Sequence, residues 1–210
     1  MIRSTNQSVS QALRALGRPV FTTREVAALR GSSIAATSQS LTRLQAQGRV
    51  VRVARGVWCD PEDPRFTPFA LVHFLTGAHP AYLSFVSALH LHGVVEQIPQ
   101  VVYAATTGHT SRKRTPVGTY SFHRIGPDFF NGFHWYRGRN EFLIAEPEKA
   151  LIDSLYVASR RGKRFGSFPE LDLTSGFDVS RAEHWIASIP YGRIRSFVER
   201  RFSEIASESA

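Results

Sequence analysis

The side chains best suited to chemistry in this sequence are a Ser/His cluster, one run of carboxylates and a large set of arginines. Ser84, Ser87 and His90 fall close together, and a hydroxyl beside an imidazole is the start of a nucleophile–base pair. No third group to orient the imidazole and no oxyanion motif accompanies them, so nucleophilic catalysis is not expected. His90 and His92 are two residues apart, which turns them to different sides of a helix, and no CxxC, HExxH or His-plus-carboxylate run supplies a metal shell. Glu141 to Lys149 faintly resembles a nuclease site in which carboxylates hold Mg²⁺ and a lysine assists. The same residues suit a helix start: Glu146 and Glu148 flank Pro147, and Lys149 pairs with Asp153 at i, i+4. No Gly-rich phosphate loop is present. The expectation is therefore no catalytic residue, no metal and no cofactor.

The arginines are a different matter. Residues 1–59 contain nine Arg, no Lys and a single acid, Glu25, a charge of +8, whereas residues 60–210 hold 17 basic and 16 acidic side chains. Nearly all of the +9 formal charge is thus concentrated in the first quarter of the chain. A local cationic field steers polyanions, and guanidinium is the side chain that grips phosphate and guanine bidentately.

Three short helices are predicted to carry this charge. Val9, Ala12, Leu13 and Leu16 make one apolar stripe, ended by Gly17 and Pro19. Thr22 and Glu25 have capping-box spacing, with Phe21 and Val26 at the staple positions, so a second helix starts there and runs to Gly31. Ser32 and Ser33 can cap a third, Ile34 to Gln47, terminated by Gly48. On a wheel this third helix places Ile34, Thr37, Leu41 and Leu44 on a buried side and Ser32, Ala36, Gln39 and Arg43 on the opposite one. Small residues beside Gln and Arg suit a helix that enters a major groove. Two β-rich runs follow within Arg49 to Trp58, with a turn at Ala54 to Gly56 and arginines at 52 and 55. Helix, helix, helix and hairpin predict a winged helix-turn-helix over residues 1–60. Its candidate DNA-binding residues are Thr22, Thr23, Arg24, Ser32, Ser33, Ala36, Gln39, Ser40, Arg43, Arg52 and Arg55.

Asp60-Pro61-Glu62-Asp63-Pro64 breaks both periodicities, and a second, mixed α+β domain is expected over 66–210. Helices are predicted at 68–75 and 81–94, strands at 100–106, 118–125, 133–137 and 141–145, a helix opening at Glu146-Pro147-Glu148, and helices at 180–188 and 193–205. Two basic loops, Arg112-Lys113-Arg114 and Arg160-Arg161-Gly162-Lys163-Arg164, are candidates for extra phosphate contacts. The aromatic group Phe129, Phe130, Phe133, Trp135 and Tyr136 reads as domain core in preference to a base-stacking platform. The fold class is accordingly α+β, a winged helix-turn-helix followed by a mixed α+β domain. No run approaches the ~20 apolar residues of a membrane span. The amino terminus has no secretory h-region, and Cys59 is the single cysteine, which together lead to an expected cytoplasmic location.

RLQAQGRVVRVARGVW, YLSFVSALHLHGVVEQIP and AEPEKALIDSLY, in that order, resemble the AbiEi family of type IV antitoxins and their regulator relatives, over roughly residues 10–165. The resemblance implies a repressor that binds promoter repeats in double-stranded DNA. It further implies a cognate nucleotidyltransferase-like toxin, opposed without stable binding. The competing expectations are a nuclease-like enzyme targeted by the winged helix, and a winged-helix module for protein contacts.

Overall fold

The computed structural model describes residues 8–136, 141–161, 168, 170–173 and 176–208. Helix α1 (Val9–Leu16) is opened by a Ser8/Gln11 capping box and closed at Gly17. Strand β1 (Val20–Thr22) leads into α2 (Thr23–Arg30), and α3 (Ile34–Ala46) starts from a Ser33 cap. The Thr22/Glu25 capping box forms as its spacing predicts, and Gly31 ends α2 in the left-handed conformation that glycine adopts without strain. Strands β2 (Val51–Ala54) and β3 (Val57–Cys59) make the hairpin, and β1 joins its far side to give a three-stranded antiparallel sheet in the order β1-β3-β2.

The chain then turns through Pro68–Leu71 into α4 (Val72–Leu75) and builds a six-stranded mixed sheet. Its strands are β4 (Ala81–Leu83), β5 (Val102–Thr106), β6 (Ser111–Thr115), β7 (Gly118–Arg124), β8 (Phe133–Trp135) and β9 (Leu143–Ala145), ordered β6-β7-β5-β4-β9-β8. The β4–β9 and β5–β7 pairs are parallel and the remainder antiparallel. Helix α5 (Phe85–Leu91) follows β4 and α6 (Pro147–Arg161) follows β9; α6 is packed by α5, α7 (Val179–Ala187) and α8 (Gly192–Glu208).

Two stretches differ from the pattern-based expectation. The helix predicted over 81–94 is a buried strand, β4, followed by a helix that starts at Phe85, because an apolar run this short carries no period that separates strand from helix. The basic segment 112–114 is an edge strand, β6, and not a loop. Its sequence Ser-Arg-Lys-Arg-Thr has no apolar alternation, since one edge is open to solvent and backbone bonds to β7 alone hold it; lysine and arginine also protect such an edge from further pairing.

The small sheet is buried on both faces, and this joins the two halves of the chain. Phe21, Val50 and Trp58 pack with Val9, Ala12, Val26 and Leu41 of the three helices. Val20, Val53, Val57 and Cys59 belong to the same core as Leu71, Leu83, Tyr120 and Phe122 of the second half. Burial pushes the Cys59 thiol up to about 12, and burial together with the neighbouring Cys59 raises the Tyr120 phenol. Further ties cross the junction: Asp60 N–H donates to the Pro19 carbonyl at 2.8 Å, and the Arg65 guanidinium, held by Asp63, donates to the carbonyl of Gly17. Residues 60–66 therefore mark a change of sheet with no break in packing.

Two measurements check this shared core. Val57→Ala should cost about 2 kcal/mol, two methyl-sized groups plus a partial cavity, in urea unfolding of the whole chain. Trp58 reports the helical side and Trp185, on α7, the larger core, so with Trp135 changed to Phe in both proteins, Trp58→Phe and Trp185→Phe variants should show coincident transitions. Separated midpoints would mean that the halves unfold independently.

Candidate nucleic-acid interface

The exposed side of α3 is built by what its opposite side buries. Thr37 and Leu41 are buried and Leu44 is half-buried against the small core. That orientation leaves Ala35, Ala36, Gln39, Thr42 and Arg43 exposed. Gln39 and Arg43 thus stand outward as their positions on the wheel predict, one turn apart. The hydroxyls around them are largely engaged within the helix: Ser33 accepts from Ala36 N–H at 3.2 Å, Ser40 donates to the Ala36 carbonyl at 3.0 Å, and Thr42 to that of Ser38 at 3.0 Å.

Three expected positions change. Thr23 is buried and its hydroxyl accepts from Trp58 Nε1 at 2.9 Å, so it faces the core and not a ligand. Ser32 lies half-buried, 2.8 Å from the Thr37 hydroxyl, on the inner side of the turn. Ile34 is 55% exposed, because nothing among the described residues reaches over the first turn of α3 to cover it. Thr22 is committed to its cap: its hydroxyl accepts from Glu25 N–H at 3.2 Å and donates to Glu25 Oε2 at 2.9 Å. Arg24 is exposed on α2.

The hairpin tip is Arg55-Gly56, with Gly56 at φ +75°, a value that favours glycine. Its carbonyl accepts from Thr23 N–H at 2.9 Å, so the tip is fastened to the first turn of α2. Arg55 is exposed there, and Arg52 is exposed with its guanidinium 5.7 Å over the Trp58 ring. Sheet, α2 and α3 therefore hold Arg24, Gln39, Arg43, Arg52 and Arg55 on a scaffold whose connections are all hydrogen-bonded or packed. Glu25, the one acid of the segment, is itself neutralised by Arg18. Burial alone would raise its carboxyl, but the bonds from Thr22 and the Arg18 guanidinium outweigh that and hold it below 4.5.

The other candidates resolve as follows. Arg112, Lys113 and Arg114 are exposed on β6, where Lys113 also donates to the Leu75 carbonyl. Arg160 is exposed at the end of α6, its guanidinium 4.7 Å from the Tyr156 ring and 5.7 Å from that of Tyr191. Lys163, Arg164 and the Arg161 side chain lie outside the described residues. The Ser/His cluster does not assemble. His90 Nδ1 is 3.0 Å from the Val95 carbonyl, Ser87 bonds the backbone of Val101 and Tyr103, and Ser84 donates to Asp153.

The carboxylate run gives a result that spacing could not. Lys149 and Asp153 are an i, i+4 pair, yet both are fully buried, and Asp153 also accepts from Tyr82 at 2.9 Å and Ser84 at 2.8 Å. Lys149 sits 4.0 Å from the Phe129 ring; burial lowers its ammonium's affinity for protons, and Asp153 works against that fall. Ser84 is the turn from β4 into α5, and the next residue, Phe85, has φ +57°, an uncommon conformation for a bulky side chain. The network therefore locks a strained strand-to-helix turn to α6. Glu148 is buried too and accepts from Asp178 N–H at 2.8 Å, joining α6 to the start of α7. No group of three His, Cys, Asp or Glu arranged for a metal occurs among the described residues. Nothing in a single sequence announces that Tyr82, Ser84 and α6 converge.

These features define the class: a winged helix-turn-helix carrying an arginine-rich outer surface, joined through its sheet to a larger α+β body. Residues 10–59 match the family described as transcriptional regulator, AbiEi antitoxin. No curated protein matches the chain. No described helix is long and apolar enough to cross a membrane.

Two outcomes follow. Glu25→Ala should cost about 1 kcal/mol at neutral pH, mostly the loss of its cap. Because the folded carboxyl titrates below 4.5, that contribution exists above 4.5 and disappears as pH falls through the lowered value, so wild type and variant should converge on acidification. Asp153→Asn leaves a buried ammonium without its counter-charge and should cost about 3 kcal/mol or more, with part of the loss recovered by adding Lys149→Met.

Proposed function

We propose that this protein is an operator-binding transcriptional repressor, the antitoxin of a type IV toxin–antitoxin pair. It regulates its own operon and opposes a nucleotidyltransferase-like toxin without forming a stable complex with it. The observation that carries the DNA-binding reading is the outer face of α3. It presents small residues with Gln39 and Arg43, within a segment whose positive charge comes entirely from arginine side chains. The match of residues 10–59 to AbiEi antitoxin regulators supports the regulatory role.

In this mechanism α3 enters the major groove and Gln39 and Arg43 meet base edges, while Arg52 and Arg55 on the hairpin and Arg24 on α2 engage flanking backbone. Dimeric binding to inverted repeats follows the same geometry, each copy reading one half-site. Arg112, Lys113, Arg114 and Arg160 add phosphate contacts that raise affinity without reading sequence. The larger body carries protection from the toxin. A nuclease role is disfavoured because Lys149 and Asp153 are sealed from solvent and bonded to each other, out of reach of a phosphodiester.

Promoter footprinting and gel shifts test this. Gln39→Ala and Arg43→Ala should each lose about 1–3 kcal/mol of discrimination between operator and random DNA, with the fold unchanged. Arg52→Ala and Arg55→Ala should weaken binding to all sequences and make the salt dependence shallower, by about 0.9 in log–log slope for each phosphate no longer neutralised. Unchanged operator binding in the first pair would remove α3 as the reading element.

A further inference from the structure

Residues 1–59 hold nine arginines, and the proposed DNA face uses four of them, Arg24, Arg43, Arg52 and Arg55. Three of the others, Arg14, Arg18 and Arg49, line a single cleft together with Arg65. Its volume of about 400 Å³ is that of a small-molecule site, and it lies where α1 meets the start of the hairpin and the 60–66 segment. The cleft stands at the end of the small sheet away from the hairpin tip. Strand β3 leaves the tip at Val57, paired with Thr22, and reaches Cys59, paired with Val20 and Val51; Arg49 and Asp60 continue beyond that row.

The charges in the cleft are unevenly matched. Arg18 is taken by Glu25, and Arg65 by Asp63 and the Gly17 carbonyl. Arg14 and Arg49 have no carboxylate partner among the described residues. Both turn instead onto one residue: Arg14 Nε donates to the Ser10 carbonyl at 3.3 Å, and an Arg49 Nη donates to the Ser10 hydroxyl at 3.4 Å. Two guanidinium groups gathered at one serine repel each other. An anion between them removes that repulsion, and each keeps N–H donors free to bind it.

The remaining lining narrows the kind of anion. Leu13 and Leu44, both half-buried, give an apolar wall beside the charges. Asp60 and Asp63 also line the cleft, and they repel a continuous polyanion such as a DNA backbone more than a compact ligand that avoids them. A carboxylate fills a single guanidinium fork, whereas the terminal oxygens of a phosphate accept from two guanidiniums at once.

We propose that this cleft binds a phosphate-bearing small molecule, a monoester whose phosphoryl group bridges Arg14 and Arg49 and whose organic part lies against Leu13 and Leu44. Arg18 and Arg65, fixed by their own carboxylates, complete the walls. The site is separate from the face that reads DNA, and its ligand ties α1 to the segment that leads from α3 into β2.

The test titrates the full-length protein with inorganic phosphate and with adenosine monophosphate, ionic strength being held constant with NaCl, and follows calorimetry, melting temperature and the arginine Nε–H resonances. Both probes should bind saturably and raise the melting temperature, the monoester more tightly, with shifts at Arg14 and Arg49. Arg14→Gln and Arg49→Gln should each weaken both probes about tenfold, whereas Arg193→Gln, which removes the same charge from an exposed position on α8, should not. Absence of saturable binding, or equal weakening in all three variants, would overturn the proposal. So would a monoester that binds no more tightly than inorganic phosphate, or resonance shifts confined to Arg52 and Arg55, which would give the anion to the DNA face.

Discussion

The constraint on which the rest of this structure depends is the burial of a three-stranded sheet on both of its faces. Trp58 turns to the helices, where its indole N–H is held by Thr23, and Val57 and Cys59 on either side of it turn to the larger core. A conventional wing has one face in water; here that face is an internal surface. Since backbone bonds fasten the hairpin tip to α2 and side-chain bonds fasten Arg65 to the α1 terminus, the three-helix half is packed and bonded onto the larger body.

The buried network around Asp153 plays a similar part inside the second half. Two charges removed from water are costly, and they persist because tyrosine and serine hydroxyls and aromatic rings replace the lost solvation. What the network fixes is the angle at which β4 passes into α5, across a residue held at positive φ. Groups that resemble a hydrolytic or metal site in one dimension are, in three, a fastener between sheet and helix.

How much of this is legible in the sequence depends on whether the information is local. The Thr22/Glu25 box, the Ser33 cap and the Pro147 start are legible because a cap is made by residues three or four apart. Gln39 and Arg43 are legible as outward residues because Leu41 and Thr37 fix the opposite face. The same wheel misplaces Ile34: helical phase puts it near the apolar stripe, but coverage at a helix end is set by what lies across from it, which the phase does not contain. Strand β6 looks like a loop in sequence since Ser-Arg-Lys-Arg-Thr carries no apolar alternation, and Thr23 looks like a DNA contact since the residue that claims it, Trp58, is 35 positions away. The convergence on Asp153 spans 71 residues and leaves no local trace.

The measurement that bears most directly on the central claim is amide hydrogen exchange of the whole protein with and without its promoter DNA. A groove-reading α3 supported by the hairpin requires new protection in residues 34–46 and 52–56 and at the start of α2, strongest on the exposed turns. Protection confined to the six-stranded sheet and α8, with α3 exchanging at the same rate in both states, would contradict it.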